Sequence, residues 1–233
     1  MLGPVNYAIW LAVILVEVCS LGCLLRKGVF SQHFTLALYL FFCLAADCGN
    51  YTIIETSGYD SNAYFYFYFY SRSLLTICLY CVLMNLYAHV FSDMGVGKHI
   101  RAAAMLILAG TAGISYYLVA TSSHRFVTHF VIELGQNLYF VGVVLTYLLW
   151  GAMAKLRENR TRLMQLVLSM GVYVSLSAGS YALNNLYPNH EFWQYYFPIT
   201  SMVLPASWAY TFMNVPKEAR LATARVVAPA PIK

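Results

Sequence analysis

Four ionisable side chains interrupt otherwise apolar segments of this chain: Glu17, Asp47, Arg72 and Glu133. A charge inside a hydrocarbon layer costs a few kcal/mol, so each of these groups is expected to face a protein interior or water. Carboxyl groups and a guanidinium in such a place can lock helices together as an ion pair, or they can hold a ligand, an ion or a proton. The sequence leaves both interpretations open.

The four charges have similar predicted depths. If each apolar segment is a transmembrane helix, they lie about 9 to 17 Å below one membrane surface, at a rise of about 1.5 Å per residue. We predict that Arg72 pairs with Asp47, with Glu133 or with both, because an unpaired buried guanidinium is very expensive. Three acids against one base leave excess negative charge, so at least one carboxyl is expected to be protonated or bound to a cation.

Polar residues at helical spacing extend this pattern. Such stripes also arise from ordinary interhelical hydrogen bonds, so no single stripe decides between a site and simple packing. The predicted ligand-binding or buried ion-pair cluster consists of Glu17, Asp47, Asn50, Arg72, Thr76, Tyr80, Glu133, Gln136 and Asn137.

The composition is that of a membrane protein. The 233 residues are 61% hydrophobic and 10% charged, against about 25% charged in soluble domains. Apolar stretches long enough to cross a bilayer predict an all-α membrane protein, a bundle of seven transmembrane helices within residues 1–214. The predicted helices are about 6–25, 32–55, 64–91, 101–121, 127–154, 162–187 and 193–214. Residues 215–233 form a short basic tail with prolines and alanines.

The distribution of basic residues predicts the orientation. Of the fourteen Lys and Arg residues, twelve fall in the first, third and fifth connections and in the tail. The positive-inside rule therefore puts the N-terminus outside and the C-terminus in the cytoplasm of a multi-pass protein of the bacterial inner membrane. The opening MLGPVNYAIW has no basic residue, which favours a retained helix over a cleaved signal peptide. The net charge of +5 indicates contact with membrane lipids, not with nucleic acid.

The stretch NAYFYFYFYSRSLL at 62–75 alternates two residue types, which is ordinarily a strand pattern. Both types are aromatic, however, and the stretch continues into a long apolar run. We therefore predict that it begins the third helix, with tyrosine hydroxyls among the lipid headgroups. A role in stacking against a ligand is the alternative.

Two helices carry packing signals. Small residues in the fourth helix predict close approach to a neighbouring helix; they are Ala103, Ala104, Gly110, Ala112 and Gly113. Pro205 predicts a kink in the seventh helix and freed backbone carbonyl groups, which either shape a cavity or only bend the helix.

Several kinds of chemistry lack support in the sequence. The six cysteines all lie in the first three helices and are interpreted as small apolar residues, with a soft-metal site as the alternative. His33 and His89 could in principle ligate a haem iron, although interfacial histidines with backbone or water partners are the commoner case. The seventh helix has no lysine for a covalently bound retinal. We predict no enzymatic activity, no catalytic residue, no metal and no cofactor.

The segment YFYFYFYSRSLL, together with MNLYAHVF at the end of the same predicted helix, resembles a family of uncharacterised bacterial seven-helix membrane proteins found largely in acidobacteria. In that family the third helix similarly starts with a tyrosine-rich stretch and ends in an aromatic-x-x-VF turn before a basic connection. The resemblance implies a seven-helix membrane bundle and brings no known activity with it.

The expected function is that of a non-enzymatic, receptor-like or sensory membrane protein. Its outward-facing polar pocket would take a small molecule or lipid, and a separate cytoplasmic or membrane partner would receive the signal. The basic connection KLRENRTR at 155–162 is a docking surface in this interpretation and a headgroup-binding loop in the simpler one. The alternatives are a transporter or channel for a small solute, ion or proton, and a structural or assembly subunit.

Overall fold

The computed structural model describes residues 4–26, 33–59, 61–92, 97–120, 126–156, 160–187 and 192–216. These residues form seven α-helices and no β-strand, which confirms the prediction of an all-helical protein. The helices are α1 (Pro4–Arg26), α2 (Phe34–Ser57), α3 (Asn62–Val90), α4 (Gly97–Ala120), α5 (Phe126–Lys155), α6 (Thr161–Leu186) and α7 (Trp193–Asn214). Most of the predicted tail, residues 217–233, and residues 157–159 of the basic connection lie outside the described residues.

Six of these helices, α1 to α6, are long and apolar enough to cross a membrane, so the chain is a multi-pass membrane protein. The seventh, α7, is 22 residues long but is not among them. Its sequence WQYYFPITSMVLPASWAYTFMN contains two prolines, three tyrosines, two tryptophans and several hydroxyl residues. These residues lower its hydropathy below that of the other helices.

Six helices form a closed ring, and α4 lies outside it. Going round the ring, α1 packs on α2, α2 on α3, α3 on α5, α5 on α6, α6 on α7 and α7 on α1. The outer helix α4 packs on α5 and, less extensively, on α3. The less apolar α7 therefore completes the ring, with Leu204 and Trp208 fully buried and Phe212 nearly so.

The two ends of the bundle differ. We call the end where α1, α3, α5 and α7 begin the N-terminal end, and the end where they finish the C-terminal end. The largest fully buried apolar side chains belong to the C-terminal half of the bundle. They are Leu24, Leu36, Leu40, Leu83, Leu86, Leu149, Leu166, Met170, Leu204, Trp208 and Phe212.

The aromatic run is helical, as predicted, and it opens α3. Ser61 caps this helix, its side chain accepting a hydrogen bond from the Tyr64 amide at 3.1 Å. Rings four residues apart then stack along the helix surface, with centroids 4.6 Å apart for Phe65 and Phe69. A strand would instead have placed alternate rings on opposite faces.

Close helix approach occurs at glycines of α2, α5 and α6 more than at the small residues of α4. In α4, Ala104 and Ala112 pack against the core, but Gly110 and Gly113 are exposed and a Cβ at either would meet nothing within 4 Å. The predicted packing role therefore holds for only part of that set. By contrast, a Cβ at Gly142 would lie 2.9 Å from Val174.

Candidate functional site

A polar cavity lies inside the ring. Its volume is ≈ 20 Å³, room for about one water molecule. All six ring helices contribute to its lining: Glu17, Tyr39, Cys43, Ala46, Asp47, Asn50, Ser71, Arg72, Leu75, Tyr139, Tyr173 and Ser201.

The cavity lies in the middle part of the bundle, and on α3 and α7 it is nearer the N-terminal end. Arg72 follows the start of α3 by ten residues, and Ser201 follows the start of α7 by eight. At about 1.5 Å per residue these positions are about 15 Å and about 12 Å along their helices. The large buried leucines described above fill the space on the C-terminal side.

Two acids and one base meet at this cavity. Glu17 is only 4% exposed, and it interacts electrostatically with both Asp47 and Arg72. Arg72 also interacts with Asp47, and its guanidinium lies 5.4 Å from the centre of the Tyr68 ring. Among the residues that the structure describes, no nitrogen–oxygen contact of 4.0 Å or less joins Arg72 to an acid. The charges therefore attract one another across the cavity and not through a direct ion pair.

Two hydrogen-bond acceptors of the lining are unsatisfied. Glu17 Oε2 and Asn50 Oδ1 are buried and have no hydrogen-bond partner. The hydroxyl of Ser71 donates to the Tyr68 carbonyl at 3.0 Å, and that of Ser201 donates to the Pro198 carbonyl at 2.7 Å. A serine hydroxyl has one proton, so both oxygens can offer only lone pairs to the cavity.

Three buried tyrosines, one each from α2, α5 and α6, line the cavity. The side chains of Tyr39, Tyr139 and Tyr173 interact with one another and with Cys43 and Thr76. The predicted site omitted these tyrosines, Cys43 and Ser201. The spacing of Tyr39, Cys43 and Asp47, four residues apart, was the signal that could have found two of them.

The structure separates the other predicted site residues from this cavity. Thr76 donates to the Arg72 carbonyl at 2.9 Å, and with Tyr80 it lines a second, mostly apolar cavity of ≈ 10 Å³. Tyr80 donates to the Ala104 carbonyl at 2.7 Å and Asn137 to the Ser115 hydroxyl at 2.9 Å, so both tie α4 to the ring.

Glu133 and Gln136 are half-buried on α5 and line neither of these two cavities. Of the two acids predicted to pair with Arg72, Asp47 is the one that shares a cavity with it.

A second cluster of polar and aromatic groups lies at the C-terminal end. The His33 and His89 rings stack with centroids 5.6 Å apart, and the His33 ring is 5.7 Å from that of Phe212. The buried Arg162 guanidinium lies over the Phe212 ring at 4.5 Å, and Arg160 donates to the His89 carbonyl at 3.3 Å. This cluster includes the described basic residues at the start of α6.

The described residues contain no group of three or more His, Cys, Asp or Glu that could hold a metal ion. All six cysteines are described, and all six are free.

Comparison of the chain with protein-family models, with curated proteins and with solved structures finds no match. The function must therefore be inferred from the geometry of the site itself.

Proposed function

We propose that the protein is a non-enzymatic, receptor-like or sensory integral membrane protein whose ligand site is the polar cavity. One observation carries this proposal. A cavity with a buried acid, a second acid and a guanidinium is bounded on its C-terminal side by large apolar side chains. A pocket that is closed on one side suits a receptor, whereas a transport path needs polar groups along its whole length.

The size of the cavity limits the ligand. Pockets for small organic molecules have volumes of about 300 Å³ or more, and this cavity has ≈ 20 Å³. In this closed form the ligand is therefore a proton or a water-sized ion, not a lipid or a larger molecule.

Aromatic side chains lie at intervals between the cavity and the far end of the bundle. Tyr39 lines the cavity and packs edge-on against Trp208, with centroids 5.9 Å apart. Phe212 follows one helical turn later on α7 and contacts His33 and Arg162. A ligand that changes the position of Tyr39 would thus shift α7 at its C-terminal end. Spatial continuity is not itself evidence of coupling, so the experiment below measures the coupling directly.

The proposed setting is the bacterial inner membrane, crossed seven times with the N-terminus outside. The charge distribution supports this orientation, and the burial of Trp208 and Phe212 supports a place for α7 inside the bundle. The cavity then faces outward, and the basic connection at 155–162 faces the cytoplasm, where it would contact a partner protein or lipid headgroups.

A proton or ion transporter is the second candidate. It is favoured by the presence of two acids with one base inside the ring, an arrangement found in relays through membrane proteins.

The test uses a variant in which Trp208 is the only tryptophan, with Trp10, Trp150 and Trp193 replaced by phenylalanine. The protein is reconstituted in liposomes that contain a pH-sensitive dye, and the outside is acidified rapidly. A receptor gives a change in Trp208 fluorescence without protein-dependent proton flux. The same change should be lost in Glu17→Gln and retained in Glu55→Gln, which alters an exposed acid on α2.

The other outcomes contradict the proposal in different ways. Proton flux that scales with the amount of protein would favour the transporter. No fluorescence change and no flux would favour a structural subunit whose buried charges only hold the bundle together.

A further inference from the structure

We propose that the C-terminal end of the bundle binds a phosphate group at Arg162, the second residue of α6. The phosphate belongs to the headgroup of an anionic phospholipid or is free phosphate from solution, and the experiment below separates these two sources. The site is separate from the polar cavity and does not depend on the proposed function.

Arg162 is buried without a counter-charge in the part of the chain that the structure describes. It is 7% exposed, and among the described residues its buried Nε–H group has no hydrogen-bond acceptor. No described acid lies within 4.0 Å of its guanidinium nitrogens. The guanidinium lies over the Phe212 ring at 4.5 Å, but the face of a ring offsets only part of the cost of taking a full positive charge out of water. Within the described residues, Arg162 thus lacks the partner that a buried arginine ordinarily has.

The described acids lie elsewhere in the bundle. Glu17 and Asp47 line the polar cavity. Glu55 in the last turn of α2 and Glu133 in the first third of α5 lie toward the N-terminal end. The acids of the connections at the C-terminal end lie outside the described residues: Asp93 and Glu158.

The start of α6 adds backbone donors to the Arg162 side chain. Arg160 is the N-cap residue and makes no side-chain cap hydrogen bond, and the first turn holds no acid. The first intrahelical hydrogen bond runs from the Met164 N–H to the Arg160 carbonyl at 3.1 Å. The three N–H groups between these residues therefore have no acceptor within the helix. Such N–H groups, together with the helix dipole, attract anions, and phosphates in particular bind at helix starts.

The start of a second helix lies at the same place. His33 is the N-cap residue of α2, whose first turn also holds no acid. The His33 ring and the Arg162 guanidinium contact the same Phe212 ring, at 5.7 Å and 4.5 Å. The His33 ring also stacks on His89, whose carbonyl accepts a hydrogen bond from Arg160 at 3.3 Å. The positive dipole ends of α2 and α6 therefore meet beside Arg162.

A water molecule would not take the place of an anion here. Water would satisfy the Nε–H donor of Arg162, but it would leave the positive charge uncompensated. A guanidinium presents its N–H groups in a planar fork that matches the oxygens of a phosphate. A phosphate therefore satisfies the side-chain donors, the backbone donors and the charge together.

The position of the site favours a lipid as the source of the phosphate. At about 1.5 Å per residue, Arg162 lies within about 3 Å of the start of α6, at the end of the bundle where headgroups are expected. Phe34 and Met213, the neighbours of His33 and Phe212 in the chain, are both exposed. The acyl chains of a lipid can cover these apolar side chains while its phosphate binds Arg162.

The experiment measures the Tm of the purified full-length protein in an uncharged, phosphate-free detergent. Dioctanoyl phosphatidylglycerol should raise the Tm in a saturable manner, by about 5 °C near saturation, whereas dioctanoyl glycerol, which lacks the phosphate, should not. Inorganic phosphate, compared with chloride at equal ionic strength, tests the free source. A rise with phosphatidylglycerol alone identifies a lipid site, a rise with inorganic phosphate alone identifies free phosphate, and a rise with both identifies a phosphate site that is open to solution.

Four variants make the assignment specific. Arg162→Gln should weaken binding of the active phosphate compound by about tenfold or more. Arg101→Gln removes the same charge from an exposed position near the start of α4, at the same end of the bundle, and should weaken binding by about twofold or less. Arg162→Lys keeps the charge without the fork and should lie between these two, which keeps the proposal testable if Arg162→Gln does not fold. Glu17→Gln, in the polar cavity, should bind like the parent.

Stability without phosphate distinguishes a binding site from a structural contact. In phosphate-free detergent Arg162→Gln removes an uncompensated charge, so its Tm should equal or exceed that of the parent. With saturating phosphatidylglycerol its Tm should be the lower of the two. A Tm that is lower than the parent's by the same amount in both conditions would mean that Arg162 only packs against Phe212, and would overturn the proposal.

Three other results would also contradict a phosphate site. No Tm rise with either phosphate compound would mean that water or an acid of the chain compensates Arg162. Equal rises with phosphatidylglycerol and with dioctanoyl glycerol would assign the effect to the acyl chains. Equal weakening in Arg162→Gln and Arg101→Gln would assign it to diffuse surface charge.

Discussion

Replacing Gly142 by alanine tests the close packing of α5 against α6. A Cβ at this position would lie 2.9 Å from Val174 Cγ1, whereas carbon atoms in good contact are about 3.5–4.0 Å apart. The Val174 side chain or one of the two helices must therefore move by about 0.6 Å or more, which as overpacking costs about 1–3 kcal/mol. The gain in helix propensity from glycine to alanine offsets about 1 kcal/mol of this cost.

Gly135→Ala is the matched control on the same helix, because a Cβ there meets nothing within 4 Å. We expect this variant to be as stable as the parent or slightly more so. The free energy of unfolding should therefore differ between Gly142→Ala and Gly135→Ala by about 1–3 kcal/mol. Equilibrium unfolding by sodium dodecyl sulfate in mixed micelles, followed by tryptophan fluorescence, measures this difference.

A second substitution identifies the contact. Val174→Ala removes the methyl group that a Cβ at Gly142 would meet, so it should restore stability in the Gly142→Ala background and lower it in the parent. The double-mutant cycle should give a coupling energy of about 1 kcal/mol or more. Equal costs of Val174→Ala in the two backgrounds would refute the packing argument.

Two hydrogen bonds between helices provide the remaining predictions. Ser20 Oγ lies 2.7 Å from the Val16 carbonyl of its own helix and 2.7 Å from the Pro205 carbonyl on α7. Ser20→Ala removes this shared hydroxyl and should lower the free energy of unfolding by about 0.6–1 kcal/mol in the same titration. Thr52→Ala, which loses only an exposed bond within its own helix, should change it by less. Tyr80→Phe removes the bond to the Ala104 carbonyl and should speed amide hydrogen exchange in α4. Tyr117→Phe, which alters an exposed residue of α4, should leave the rate of amide hydrogen exchange in α4 unchanged.

Segment length and composition were sufficient to predict the helices. An apolar run of twenty or more residues can satisfy its backbone in lipid only as a helix, and this consideration outweighed the strand-like alternation at the start of α3. Hydropathy could not describe α7 equally well, because part of its polar and aromatic side chains is buried in the bundle. Thr200 and Thr211, for example, are both buried.

The meeting of Glu17, Asp47 and Arg72 followed from their similar depths along the helices. Depth is only one coordinate, however, and the rotation of each helix about its axis is set by packing against its neighbours. Helix α5 is rotated so that Gly142 faces α6. In this orientation Tyr139 lines the cavity and Glu133 does not. No pattern in the sequence reports such a rotation in advance.

The position of α7 makes the assembly of the ring depend on α1. Of all helix pairs α1 and α7 pack together most extensively, although the first and last helices are the farthest apart in the chain. Weakening α1 would therefore loosen α7 as well, although α6 still packs against it. The seam that opened would bring Glu17 and Ser201, one on each side of it, into contact with acyl chains. The closing of the ring thus links the first helix of the chain to its last.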